Sequence, residues 1–267
     1  MKDRLFAIVK DEDPVRRPAV FREFLQCMTL RALHEGHDFG NLAFIGGTAL
    51  RLIFDLPRFS EDLDFSLVNK ATFEFSRLEA EIGRIYAASG IAVELKRRSV
   101  RTVQSLWLKF PRLLHEAGLT TDPRRVISIK LEVDTNPPEG AHIERRLINR
   151  HFPIAVVHYD LPSLFAGKLH AVLTRQYVKG RDYFDLVWYR TRHRHLVPNL
   201  DLLNAALTQT GWKRGDITQD NWKQTLRKRV SGLDWKLVVR DVSPFLEDAK
   251  DLDSMRLEYV LPLFEEP

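Results

Sequence analysis

A chain of 267 residues has room for one large domain or two modest ones, and 44% hydrophobic with 29% charged residues is the balance of a globular protein with a sizeable core. Lys and Arg (41) outnumber Asp and Glu (36), and the resulting +5 charge and pI near 9.3 favour nucleic acid only mildly. No apolar run is long enough to span a bilayer, stretch 1–13 has no signal-peptide core, and a single Cys27 excludes an intrachain disulfide or cysteine metal site, so the expected compartment is a reducing cytoplasm with no membrane partner.

In chain order, residues 1–17 are charged and read as irregular or as a short helix. Residues 18–37 carry the broad apolar face of a helix through Phe21, Phe24, Leu25, Met28, Leu30 and Leu33, with Cys27 as a small core residue. Residues 42–45 are a short buried strand that Gly46-Gly47 breaks. Thr48 reads as the N-cap of a helix over 49–54. A strand, a glycine turn and a helix N-terminus form an anion site, because free N–H groups and the helix dipole both favour phosphate. From Phe59 to Leu67 apolar Leu63, Phe65 and Leu67 alternate with polar Asp62, Asp64 and Ser66, which sets both carboxylates on one face of a strand. Like charges held together call for a cation, and Mg²⁺ takes one or two carboxylates plus substrate phosphates.

Residues 69–89 are expected to be helical, 91–97 and 103–110 to be strands, and 111–125 to connect them. Residues 126–134 alternate most regularly, with Ile127, Ile129, Leu131 and Val133 on one face and Ser128, Lys130, Glu132 and Asp134 on the other. After the break at Pro137-Pro138, a short strand at 154–159 leads into a helix capped by Asp160, which runs to about 178 and is stopped by Gly180. A second helix follows over 182–190, with Asp182 and Asp185 one turn apart. Segments 200–208, 219–230, 235–242 and 245–259 read as helices, in which Trp212, Trp222 and Trp235 are expected to pack rather than to stack on bases. Basic residues cluster at Lys96, Arg97, Arg98 and Arg101, at Arg190, Arg192, His193, Arg194 and His195, and at Arg227, Lys228 and Arg229.

The stretch GGTALR followed by RFSEDLDF resembles the AbiEii/AbiGii toxin family of bacterial nucleotidyltransferases, whose signature is a GG[ST] turn and then [KR]xSxDxD. Arg58, Ser60, Asp62 and Asp64 fill those places. The later LFAGKLHAVLTRQYVKGRDYFDL is similar to the family's second motif through Lys168, Arg175, Arg181, Asp182 and Asp185, with Ser163 where a glutamate is common. The likeness spans roughly residues 40–190. It implies an α+β, polymerase β-like mixed sheet with flanking helices over 1–160 and a mainly helical lobe over 161–267, with Asp62, Asp64 and Lys168 in a cleft between them. It also implies a third acid on a later strand, which places Glu132 there with Asp134 in reserve.

The expected chemistry is transfer of a nucleotidyl group from an NTP, with Mg²⁺ or Mn²⁺, and release of pyrophosphate. Gly46, Gly47, Thr48, Arg58, Ser60, Lys168 and Arg175 are the expected nucleotide ligands, and Asp62, Asp64 and Glu132 the metal ligands. Lys168 holds phosphate charge, while Asp182 and Asp185 either orient it or deprotonate an attacking hydroxyl. The family resemblance implies the toxin of a type IV toxin–antitoxin or abortive-infection system, with a cognate antitoxin as partner; tRNA is the favoured acceptor and protein the alternative. A DxD glycosyltransferase and a non-catalytic binding module are the competing classes; the glycine turn and the Lys/Asp pair argue against the first, the retained acids against the second.

Overall fold

Helix α1 (Lys2–Asp11) leads into α2 (Arg17–Glu35), which has Pro18 in its first turn, where a missing N–H costs nothing. From Val20 to Leu33 most of α2 is buried, Cys27 included, and burial pushes the Cys27 thiol pKa up, as suits an inert core residue. The chain continues through β1 (Leu42–Ile45), α3 (Gly46–Phe54), β2 (Leu63–Leu67), α4 (Phe75–Ala88), β3 (Glu94–Val100), β4 (Val103–Phe110), α5 (Leu113–Glu116), β5 (Ile127–Asp134), β6 (Ile143–Asn149) and β7 (Pro153–Tyr159). In this computed structural model, residues 1–100 and 102–265 are described. Among them the strands form one mixed sheet in the order β3-β4-β5-β2-β1-β7-β6. Strand β2 runs antiparallel to β1 and parallel to β5, β4 is antiparallel to both β3 and β5, and β7 is parallel to β1.

The two compact units are Met1–Asp55 with Phe59–Pro137 and Glu144–His158, and Leu56–Arg58 with Pro138–Ile143 and Tyr159–Pro267. In the first, the sheet from β3 to β2 is two-sided. Leu106, Leu108 and Phe110 stand beside Leu131, Ile129 and Ile127, all of them buried. Helices α2 and α4 cover that side: the Tyr86 ring lies 5.0 Å from Phe110, and its hydroxyl donates to the Leu25 carbonyl at 2.7 Å. The other side carries Lys96, Arg98, Ser105, Trp107, Lys109, Lys130, Glu132, Asp134 and Asp64, by the period-two rule and the register.

The second unit is helical, with α6 (Leu161–Thr174), α7 (Gly180–Arg192), α8 (Leu200–Gln209), α9 (Trp222–Ser231), α10 (Trp235–Val242) and α11 (Leu257–Val260). Asp160 caps α6, its Oδ1 accepting from the Ser163 N–H at 2.8 Å. Phe165 stacks on Tyr189 at 4.2 Å and meets buried Trp222 edge-on at 5.9 Å; Trp212 and Trp235 are half-buried. No helix among the described residues is long and apolar enough to cross a membrane.

Several expected boundaries move, each for a local reason. Thr48 is not an N-cap, since α3 begins at Gly46 with Ile45 in the cap position. Strand β2 starts at Leu63, so Asp62 precedes it. The helix expected from 69 starts at Phe75, because Asn69 Oδ1 takes the Ala71 N–H at 3.1 Å and builds a turn instead. The strand expected at 91–97 lies at Glu94–Val100, where pairing with β4 fixes its register. Helix α6 stops at Thr174, and Gly180 opens α7 rather than ending α6: a Cβ on it would stand 2.1 Å from the Val238 carbonyl of α10. The helix expected at 245–259 is broken into 3-10 turns and the short α11; Asp248 takes the Lys250 N–H at 2.9 Å and starts a new turn there. Strand β6 has no counterpart among the expected elements, since all but Ile148 in it are exposed and no alternation marks it.

Candidate active site

Strand pairing does what the DxD spacing alone could not. Asp64 stands in register with Glu132 of β5 on one side and with Ile45 of β1 on the other. Neighbouring strands lie about 4.8 Å apart, and paired residues share a face, so the two carboxylates project side by side. Ile45 is the residue before Gly46. The glycine turn and the acids are therefore one locus, built where β1 passes into α3.

The fit there is close. Gly46 has φ +80°, and a Cβ on it would lie 2.3 Å from Asp64 Oδ2. Gly47 and Thr48 complete the first turn of α3, whose N-cap residue, Ile45, has no side-chain group to cap it. Thr48, fully buried, donates its hydroxyl to the Asp62 carbonyl, which pins the segment carrying Asp62 to the first turn of the helix. Ser60 is half-buried, and its carbonyl accepts from Gln26 Nε2 at 3.1 Å. Glu132 is engaged by Lys130 Nζ at 2.6 Å and by the Ser105 hydroxyl at 3.2 Å. Asp134, the reserve acid, pairs with Ser66, two residues further along the strand than Glu132.

Among the described residues no three His, Cys, Asp or Glu side chains are gathered closely enough to hold a metal by themselves, so Asp62, Asp64 and Glu132 are not a closed cage. Their chemistry still fits a hard cation. The donors are carboxylates alone, and Mg²⁺ needs only one or two of these when substrate phosphates supply the rest.

The second motif gathers in the helical unit. Asp185 is completely buried and receives Arg58 through Nε at 2.5 Å and Nη2 at 2.6 Å, a bidentate pair, while Lys168 Nζ lies 2.7 Å from its Oδ2. Burial raises the Asp185 pKa, but the charges and hydrogen bonds of Arg58 and Lys168 outweigh it and hold the carboxyl below the usual range. Asp182 faces Lys168 Nζ at 3.4 Å and also takes Arg175 Nη1. Thus Arg58, from the first motif, and Lys168, Arg175, Asp182 and Asp185, from the second, are one ion network. Arg181 lies over the Phe245 ring at 4.0 Å.

The basic clusters are heterogeneous. Lys96 and Arg98 are exposed on the Asp64 face of the sheet, whereas Arg97 turns to α4, 4.5 Å from the Phe75 ring and 3.7 Å from Glu79. Arg101 lies outside the described residues. Arg190 is buried and spends its guanidinium on the Leu263 and Arg194 carbonyls; Arg229 spends its own on those of Val172 and Arg175. These two hold the unit together instead of forming a solvated patch. Nothing in the sequence singles out Lys130, Ser105 or Trp107, although the alternation that marks Glu132 puts Lys130 on its face.

The chain matches the family model for the nucleotidyl transferase AbiEii toxin of type IV toxin–antitoxin systems over residues 29–261. A crystal structure of an H. pylori protein described as a nucleotidyltransferase aligns with TM-score 0.56 and 21% identity, covering 92% of this chain and 91% of that one. JHP933 from Helicobacter pylori aligns with TM-score 0.53 and 21% identity, covering 92% of this chain and 88% of that one. At that identity the two structures speak for the fold. No curated protein matches the chain in sequence. With a mixed sheet carrying the GGT turn and the DxD strand, and the family model spanning most of its length, this chain belongs to the AbiEii family of nucleotidyltransferase toxins.

Proposed function

We propose that the chain moves a nucleotidyl group from an NTP to the end of an RNA acceptor, with tRNA favoured, and releases pyrophosphate, using Mg²⁺ or Mn²⁺ held by Asp62, Asp64 and Glu132. The observation that carries this is the register of Asp64, between Glu132 and the residue before Gly46, which brings two carboxylates and the start of α3 into one place. Gly46 and Gly47 offer backbone N–H groups to the triphosphate, and the α3 dipole favours its charge. Thr48 positions Asp62 through the carbonyl it holds. Bound metal supplies charge neutralisation on the phosphates and lowers the pKa of the attacking hydroxyl.

Lys168 is the phosphate cation of the second motif. Asp185, buried and shared between Arg58 and Lys168, suits orientation of the lysine better than proton abstraction, because a carboxyl held below its usual range is a poor base. Arg58 acts on the nucleotide through this network. The cytoplasm is the expected compartment, and a cognate antitoxin the expected protein partner. The test is incubation with each labelled NTP, total cellular RNA and protein, with and without Mg²⁺. Label should enter RNA from one NTP, and Asp62→Asn or Asp64→Asn should abolish it while the fold persists. Undiminished transfer by both variants would remove the acids from the mechanism, and label in protein alone would move the acceptor.

A further inference from the structure

We propose that the uncovered face of β3, β4 and β5 is the platform on which the single-stranded end of the acceptor RNA lies, with the Trp107 indole stacking an unpaired base and Lys96, Arg98 and Lys109 holding the backbone beside it. This rests on the nucleotidyl-transfer reading and names the surface that presents the acceptor. The register aligns Ile45, Asp64, Glu132, Ser105 and Arg98 in one row across β1, β2, β5, β4 and β3. Three strand spacings of about 4.8 Å set Arg98 about 14 Å from Asp64 along that row. The next row along β3, β4 and β5 is Lys96, Trp107 and Lys130, and the one after it Glu94, Lys109 and Ser128.

Helices α2 and α4 lie against the opposite face, and on this one Lys96 and Arg98 are exposed while Trp107 and Lys109 are half-buried. Lys130 Nζ sits 5.6 Å from the Trp107 ring centroid and pairs with Glu132, so its charge is already shared; Lys96, Arg98 and Lys109 carry the free positive potential. Besides Glu132, which Lys130 engages, the acids of these three strands on this face are Glu94 and Asp134, and they lie at its two ends along the strands.

Edge strands often carry lysine to discourage pairing with other sheets, and that alone would account for Lys96 and Arg98 on β3. It does not account for a half-exposed indole on the next strand inward, in the row beside the acids. An acidic protein surface would match the cations and leave the indole without a partner. A duplex would offer phosphates but no open base. A single strand uses both, since base–aromatic stacking tolerates any base and the phosphates track the cations.

The test uses the full chain, a short labelled oligouridylate and a salt series without NTP. Trp107→Ala should weaken oligonucleotide binding roughly 5- to 150-fold, the scale of one missing base stack, and Trp107→Phe should restore most of it. Lys96→Glu with Arg98→Glu, both at exposed positions, should weaken binding and flatten the salt dependence by about 0.7 for each phosphate no longer held. Nucleotide binding should stay unchanged in all three. Unaltered oligonucleotide affinity in the charge-reversed protein and in Trp107→Ala would overturn the platform, as would a Trp107→Ala loss that phenylalanine does not rescue and that nucleotide binding shares. Transfer that still needs Asp64 but goes to protein, indifferent to these substitutions, would overturn it while the transferase reading stands.

Discussion

Gly46 and Asp64 fit together with no room for a methyl group: a Cβ on Gly46 would lie 2.3 Å from Asp64 Oδ2, at a residue whose φ is +80°. The glycine is required twice, once for the left-handed turn from β1 into α3 and once so that the carboxylate can rest on the backbone. Gly46→Ala should therefore cost about 1–3 kcal/mol of stability, the scale of one strained residue. It should also displace the Asp64 side chain and lower transfer roughly a hundredfold or more, the scale of losing one electrostatic partner of the transition state. Thermal denaturation and an initial-rate assay on the same preparation measure both. A variant that melts early but transfers at full rate would show that the Asp64 carboxylate need not sit where it does.

The Asp185 network separates stability from chemistry. Asp185→Asn leaves Arg58 and Lys168 facing each other without the charge they share, and breaking a buried pair in that way costs about 3–5 kcal/mol. Since the folded carboxyl titrates below its usual range, this stabilisation is present above the ordinary carboxylate pKa and is lost as pH falls through the lowered one. Lys168→Met keeps the bulk of the side chain and leaves the bidentate Arg58 pair in place. Its stability loss should be smaller than that of Asp185→Asn, and its loss of transfer as large. Denaturant melts beside rate measurements decide this; equal stability losses with transfer retained in Lys168→Met would reduce Lys168 to a helix-packing cation.

The Glu23 cluster makes the same point inside the first unit. Glu23, 3% exposed on α2, binds Arg51 and Arg150 and lies 3.7 Å from His151. Burial pushes its pKa up, but nearby His151 and the Arg51 and Arg150 charges prevail and bring it to about 2. Its contribution is complete above about pH 4.5 and fades toward pH 2. Glu23→Gln strands a buried guanidinium, so unfolding at pH 7 should come about 3–5 kcal/mol easier, and the gap from the parent protein should close in strong acid. A gap independent of pH would mean that packing, not charge, is what Glu23 supplies.

What was legible in the sequence was local. The GG turn, the regular 127–134 strand and the Asp160 cap each depend on a few consecutive residues, and each stands where the pattern put it; the DxD alternation holds from Leu63 onward, with Asp62 just before the strand. Partnership across the chain was not legible. Glu23 sits on a helix whose apolar residues hide it, and its partners Arg51, Arg150 and His151 come from distant segments. Arg58 reads as a nucleotide ligand from its place in a motif, yet its guanidinium forks onto Asp185, 127 residues away. The edge strand β6 shows no burial alternation, because an edge strand in solvent has no inside. Gly180 shows the reverse error: a glycine read as a helix stop is there to admit the Val238 carbonyl of α10.

Asp38 was also invisible from the sequence, and it carries a pH response expected to run against stability. It is 4% exposed, and its Oδ2 has no hydrogen-bond partner among the described residues. Burial raises its pKa to about 6; Arg77 and His37 pull it down, and Glu81 pushes it further up. From about pH 4 to 6 the folded form keeps a proton that the unfolded form has released. Stability contributed by this group therefore falls as pH rises through that window, and at pH 7 the chain holds a buried carboxylate at a cost on the order of 1–3 kcal/mol. Asp38→Asn keeps the shape and removes the charge. It should melt higher than the parent at pH 7, and the difference should shrink toward zero below about pH 4, where the parent residue becomes protonated in both states. Melting curves of the two proteins at half-unit pH intervals give the answer. Equal midpoints at pH 7 would mean that Asp38 is ionised without penalty, with Arg77 outweighing the burial after all.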